Sequence, residues 1–201
     1  PDFQKKVKEF IVLFKRKIDE YDELVTGNII FINRMKGVGF LSKEDAISYG
    51  CSGPAARGSG VNSDIRKLYP YAVYDKVQFD EVLETGCDSL ARYMIRIREM
   101  KQSIRIIEQL IDNIPEGDFQ AKTKAVLKLP KGEFYTRVET ARGELGVYIV
   151  SEGGTTPYRI KFRSPGFSNL SALDHMARGS KLGDLVAMMG TLDLVIPDID
   201  R

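Results

Sequence analysis

Seventeen residues, Gly50–Arg66, constrain this chain more than any other stretch; they read GCSGPAARGSGVNSDIR. No apolar period of 2 or 3.6 runs through them. Gly50, Gly53, Gly58 and Gly60 admit positive φ and let another backbone come close. Pro54 fixes its own φ and removes a donor. Arg57 and Arg66, with Asp64 between them, point to a loop pinned by charge-assisted bonds. A stretch so constrained, set between helical segments, is built to hold a shape. The plainer alternative is a surface loop that only turns the chain.

The flanking sequence is periodic. From Asp2 to Val25 the apolar residues Phe3, Val7, Phe10, Ile11, Phe14, Ile18, Tyr21 and Val25 recur at helical spacing, and the lysines read as a solvated face. Thr26-Gly27-Asn28 interrupts that helix. Ser42 followed by Asp45 starts a short helix that Gly50 closes. Asp88 caps the clearest helix, whose stripe of Leu90, Tyr93, Met94, Ile97, Met100, Ile104, Ile107, Ile111 and Ile114 ends at Pro115. Arg92, Arg96, Arg98 and Glu99 fill the remaining positions. Phe119–Lys131 reads as a connector. The period then changes to two: 134–140, 147–150 and 158–162 predict a small antiparallel meander, with Ala141–Gly146 as its first turn. Glu144, a glutamate between glycines in that turn, reads as half of a buried charge pair, with a catalytic role as the lesser alternative. Leu170–Arg178 and Leu182–Met189 are two short final helices. The sequence thus predicts a mainly α fold with a small antiparallel sheet (α+β). All of 1–201 forms one domain: 1–117 helical around the 50–66 loop, 132–165 the meander, 166–201 terminal helices and a tail.

Several functions are disfavoured. A net charge of +2, with no basic stripe, gives no case for nucleic acid, and the tyrosines at 69–74 read as packing. No apolar run approaches the ~20 residues that span a bilayer. Cys51, Cys87 and the lone His175 cannot make a four-ligand metal site, so the cysteines are read as free thiols and His175 as an ordinary helix residue. Gly58-Ser59-Gly60 does not match a dinucleotide fingerprint. The chain opens PDFQKKVKEF, without a signal peptide or initiator methionine, and reads as the later part of a longer protein.

Gly53-Pro54, Arg57-Gly58-Ser59-Gly60-Val61 and Asp64-Ile65-Arg66, preceded by Lys36-Gly37-Val38-Gly39, resemble the GPxLRGSGxxxDLR motif of the 49-kDa or D subunit of respiratory complex I. That subunit is a relative of nickel-iron hydrogenase large subunits. Ala56 stands where leucine is usual and Ser63 where an aromatic is usual. The likeness continues through the segment around Ser89, Arg92 and Tyr93, through ARGELG at 141–146 and RSPGFSNL at 163–170, to the last residue. Hydrogenases end in a frame whose two cysteines hold nickel. Here that frame reads Asp193, Leu194, Val195, then Asp198 and Arg201, with both cysteines lost. Complex I subunits usually end DIVLGEVDR; this chain has Pro197-Asp198 in place of Gly-Glu.

The resemblance implies a hydrogenase-like fold whose former metal pocket now helps form a quinone-reduction site. Quinone is then the substrate. No cofactor is held by this chain; FMN and iron–sulfur clusters belong to other subunits. The partners implied are the iron–sulfur subunit that carries the terminal cluster and the other peripheral-arm and membrane-arm subunits. The implied location is peripheral, on the cytoplasmic side of the bacterial inner membrane. Gly53, Pro54, Arg57, Gly58, Gly60, Asp64 and Arg66 would be the structural loop. Asp193 would act as a charged organiser of the pocket wall, Val195 as its apolar part, and Arg201 as a charge near the cluster. Arg57 or Arg66 would pair with Asp193, and the tail would fold back beside the loop. No catalytic set is complete within the chain, which alone would be inactive. Two other readings remain open at this stage: the large subunit of an energy-converting hydrogenase, which the missing cysteines oppose, and a helical scaffold without a redox role.

Overall fold

A computed structural model describes residues 2–118, 120–123 and 125–200. Its elements run α1 (Asp2–Tyr21), α2 (Ile29–Met35), α3 (Lys43–Ser48), α4 (Gly53–Arg57), α5 (Ile65–Leu68), α6 (Ser89–Leu110), β1 (Gly132–Thr140), β2 (Gly143–Ser151), β3 (Arg159–Arg163), α7 (Pro165–Leu170), α8 (Leu173–Ala177), α9 (Leu182–Leu192) and α10 (Ile196–Ile199). The predicted α+β class is the observed one.

The two long helices pack on each other. Ile11 and Ile18 of α1 bury against Ile104 of α6, with Val7, Phe14 and Met100 around them. Fully burying each such side chain contributes about 1.5–3 kcal/mol. The helix predicted for Asp2–Val25 is α-helical only to Tyr21, then winds as a single π turn over Asp22–Thr26. Lys101 of α6 holds that turn through Asp22 at 2.8 Å, and Tyr93 through Thr26 at 3.0 Å.

α6 begins where predicted, the Asp88 carboxylate accepting from the Ala91 amide at 2.8 Å, and ends at Leu110. Its buried face departs from the predicted stripe. Ile107 and Ile114 are exposed, whereas Arg92, expected among the outward positions, is 0% exposed. The reason is that α6 is covered on more than one side: α1 packs on one flank, α4 and α9 on another. Arg92 fills the second contact. It donates to the Gly39 carbonyl (2.9 Å), the Ser89 hydroxyl (3.0 Å) and the Thr191 hydroxyl (3.2 Å), tying the turn before α3 to α6 and α9. Burial pulls its pKa down to about 10. Above it lies the main core: Leu41, Ala46, Ala55, Ala172, Met176, Met188 and Leu192.

The Gly50–Arg66 stretch is not a plain loop. It contains α4, with Pro54 in its first turn, and the first residues of α5, capped by Asp64. These are helices of four or five residues, too short to leave a period in the sequence.

The meander is antiparallel in the order β1-β2-β3, with Phe134 opposite Ile149 and Ile149 opposite Ile160. Its first turn is two residues, Ala141-Arg142, not the predicted Ala141–Gly146. Gly143–Gly146 already pair with Thr140–Arg137. The connector is coil as expected, though Phe119 and Lys124 lie outside the described residues. After β3 comes a helix the sequence did not predict, α7; within the predicted Leu170–Arg178 the helix α8 covers Leu173–Ala177, and the next helix continues past Met189 to Leu192.

The hairpin docks on the glycine-rich stretch backbone to backbone. Gly53 has φ +63°, and a Cβ there would sit 2.5 Å from the Arg142 carbonyl oxygen and the Gly143 Cα. A Cβ on Gly143 would sit 2.4 Å from the Ser52 hydroxyl. Ser52 uses the close approach: its hydroxyl accepts from the Glu144 amide (3.1 Å) and from Arg163 (3.0 Å), and its amide donates to Asn169 (3.1 Å). Gly50, by contrast, has φ +64°, and a Cβ there would meet nothing within 4 Å.

Gly143→Ala is therefore expected to destabilise the full-length subunit by roughly 2–4 kcal/mol, combining backbone strain with overpacking. Gly50→Ala meets only the backbone term and should cost about 1 kcal/mol. Denaturant midpoints of the two variants check the difference; equal losses would show that the docking contact is loose.

Candidate functional site

At the end of α4, Arg57 lies 1% exposed between α6 and β1. Its Nε and Nη2 donate to Glu99 at 2.8 and 2.7 Å, and its Nη1 donates to Glu139 at 2.8 Å. The second oxygen of Glu139 accepts from the Ile65 amide at 3.2 Å. Beside them Arg66 grips the Asp64 carboxylate with two donors, at 2.9 and 2.6 Å. Glu81 in turn accepts from the Ser63 and Asp64 amides. Paired, hydrogen-bonded charges are the condition under which such groups tolerate burial.

The electrostatics follow from burial and partners. Burial lowers the Arg57 pKa, but Glu99 and Glu139 outweigh it and the net shift is upward. Burial raises Asp64, and the Arg66 bonds and charge, with Arg57, pull it below its ordinary value of 3.8. Burial dominates at Glu99, whose pKa is raised against the opposing pull of Arg57 and Arg66.

This cluster is the floor of a cleft of about 520 Å³. Tyr74, Met100, Ser103, Thr140 and Ala141 give it neutral walls, and Arg96 and Asp193 add charge. Asp193 ends α9 in the left-handed conformation, φ 56° and ψ 54°. Outside glycine that conformation is uncommon, and aspartate tolerates it better than most. Its neighbours anchor it: Leu192 is buried in the main core and Leu194 packs against it. The tail thus folds back beside the glycine-rich stretch.

The partner of Asp193 differs from the predicted one. Arg57 and Arg66 are occupied by Glu99, Glu139 and Asp64. Arg142, in the β1–β2 turn, takes their place: its Nε donates to the Asp193 carbonyl at 3.0 Å and lies 3.4 Å from the carboxylate. Val195 is half-buried just before α10 and does not line this cleft. Arg201 lies outside the described residues. Gly53, Pro54, Gly58 and Gly60 do not line the cleft. Glu144 is partly buried 3.5 Å from Arg137 and accepts from Tyr135 at 2.9 Å.

Sequence reasoning missed Arg96, Glu99, Glu139 and Arg142 as site residues. The available signal was charge balance: an arginine inside a tightly constrained stretch needs counter-charges from elsewhere. Nothing in the linear pattern says which glutamates supply them. His175 is at the surface, 3.4 Å from Asp45. Burial lifts the Cys51 thiol to about 11, which leaves it protonated at neutral pH. Among the described residues no cluster of three or more His, Cys, Asp or Glu side chains is placed to hold a metal, and no helix is long and apolar enough to cross a membrane.

Two substitutions probe the floor. Glu139→Ala leaves Arg57 with one carboxylate and is expected to cost about 3–5 kcal/mol. Asp64→Asn should cost about 1–3 kcal/mol at neutral pH. Because the folded pKa of Asp64 is depressed, its contribution is complete above 3.8 and disappears as the pH falls through the folded value. The gap between wild type and Asp64→Asn should therefore close on acidification. A gap independent of pH, read from denaturant midpoints, would show that the carboxylate charge is not what stabilises.

The family model for "Respiratory-chain NADH dehydrogenase, 49 Kd subunit" matches residues 1–128 and 123–201. The chain is 52% identical over its whole length to the C/D subunit of the NADH-quinone oxidoreductase of Bacteroides thetaiotaomicron, covering 38% of that protein. It is 46% identical over 99% of its length to the D 2 subunit of the same enzyme in Solibacter usitatus, covering 54% of it. It is 40% identical over 98% of its length to the H 1 subunit of the NAD(P)H-quinone oxidoreductase of Gloeobacter violaceus, covering 56% of it. The chain spans between about two fifths and just over half the length of these relatives. With the glycine-rich stretch, the buried charges and the docked tail continuous over both matched segments, the chain belongs to the 49-kDa subunit family of the respiratory-chain NADH dehydrogenase.

Proposed function

We propose that this chain, as part of a longer subunit of an NADH-quinone oxidoreductase, forms one wall of the site where quinone is reduced. In this reading the cleft beside Asp193 receives the quinone, and a neighbouring subunit brings its terminal iron–sulfur cluster close by. Electrons reach that cluster from NADH through FMN and further clusters in other peripheral-arm subunits. Membrane-arm subunits couple the reaction to ion pumping. The assembly is peripheral, on the cytoplasmic side of the bacterial inner membrane, and this chain alone is inactive.

The observation that carries the reading is the placement of Asp193. A carboxylate held in a left-handed backbone, braced by Arg142, lines a cleft whose ten other lining residues are five charged and five neutral. A quinone needs that combination: apolar surface for the ring and a small number of polar groups to orient it and handle protons. The names of the relatives supply the substrate class. Val195 adds apolar surface nearer the tail, outside the cleft itself. The observed groups suit a wall better than a complete catalytic set, because the remainder of the subunit and the partner close the site.

The test uses the assembled enzyme with the full-length subunit. Asp193→Asn preserves shape and tolerates the left-handed backbone, so it removes charge with little added strain. Quinone reduction is expected to fall about tenfold, the size of effect of one lost charge-assisted bond. NADH oxidation by an artificial acceptor should be unchanged, because only the last electron transfer uses this cleft. Both activities unchanged in an assembled enzyme would overturn the assignment. Loss of both together with loss of assembly would make the residue structural only.

A further inference from the structure

We draw no further inference here: the strongest candidate, the outward apolar face of α9 that carries Leu182, Val186 and Met189, is exposed, and nothing in the structure shows what covers it.

Discussion

The guanidinium of Arg57 holds this structure in register. It sits at the end of a five-residue helix that could not be stable alone, and it reaches one glutamate on the long helix α6 and one on the first strand. Three elements far apart in sequence therefore share one buried cation. Each glutamate without it would be a desolvated charge, and the cation without them would be worse. The glycine-rich stretch can be irregular because its shape is fixed at this point and at the backbone contact between Gly53 and Gly143. Helical propensity of so short a segment would not fix it.

The same logic sets what the cleft can be. Its floor is saturated: Arg57, Arg66, Asp64 and Glu139 are engaged with one another and with backbone amides. Groups already satisfied have little left to offer a ligand. The groups at the margin, Asp193 and Arg96, are less completely engaged: the nearest basic group to the Asp193 carboxylate is Arg142 at 3.4 Å, and Arg96 bonds only the Arg92 backbone carbonyl. A stiff floor beneath a few available polar groups is the arrangement that holds a substrate in one orientation.

Much of the fold was legible in the sequence. The two long helices and the meander follow from clean periods, and their caps at Asp88 and Ser42 formed as the sequence predicts. What could not be read was tertiary. Arg92 looks like a solvent-facing position by period alone, and its burial depends on α9 arriving from roughly a hundred residues downstream. Gly143 and Gly146 look like turn residues, but the first tolerates the approach of Ser52 and the second lies under the Tyr135 ring, so both stay in the ladder. Asp193 was singled out from the family's terminal frame, and it does line the cleft. Its partner was not, because the competition for Arg57 and Arg66 is settled by carboxylates on other elements.

The contact between Gly53 and Gly143 also bears on the order in which the chain can fold. The Ala141-Arg142 turn closes locally, on the microsecond scale of hairpins. Its docking must wait until the intervening segments, α6 included, have brought Gly53 to Gly143. The entropy of closing so long a loop is met only when Ser52, Asn169 and Arg163 bond together. The cleft, which lies between these parts, is consequently assembled late. Until then Arg57 lacks its Glu139 partner, whereas the Asp64–Arg66 pair, two residues apart, forms locally.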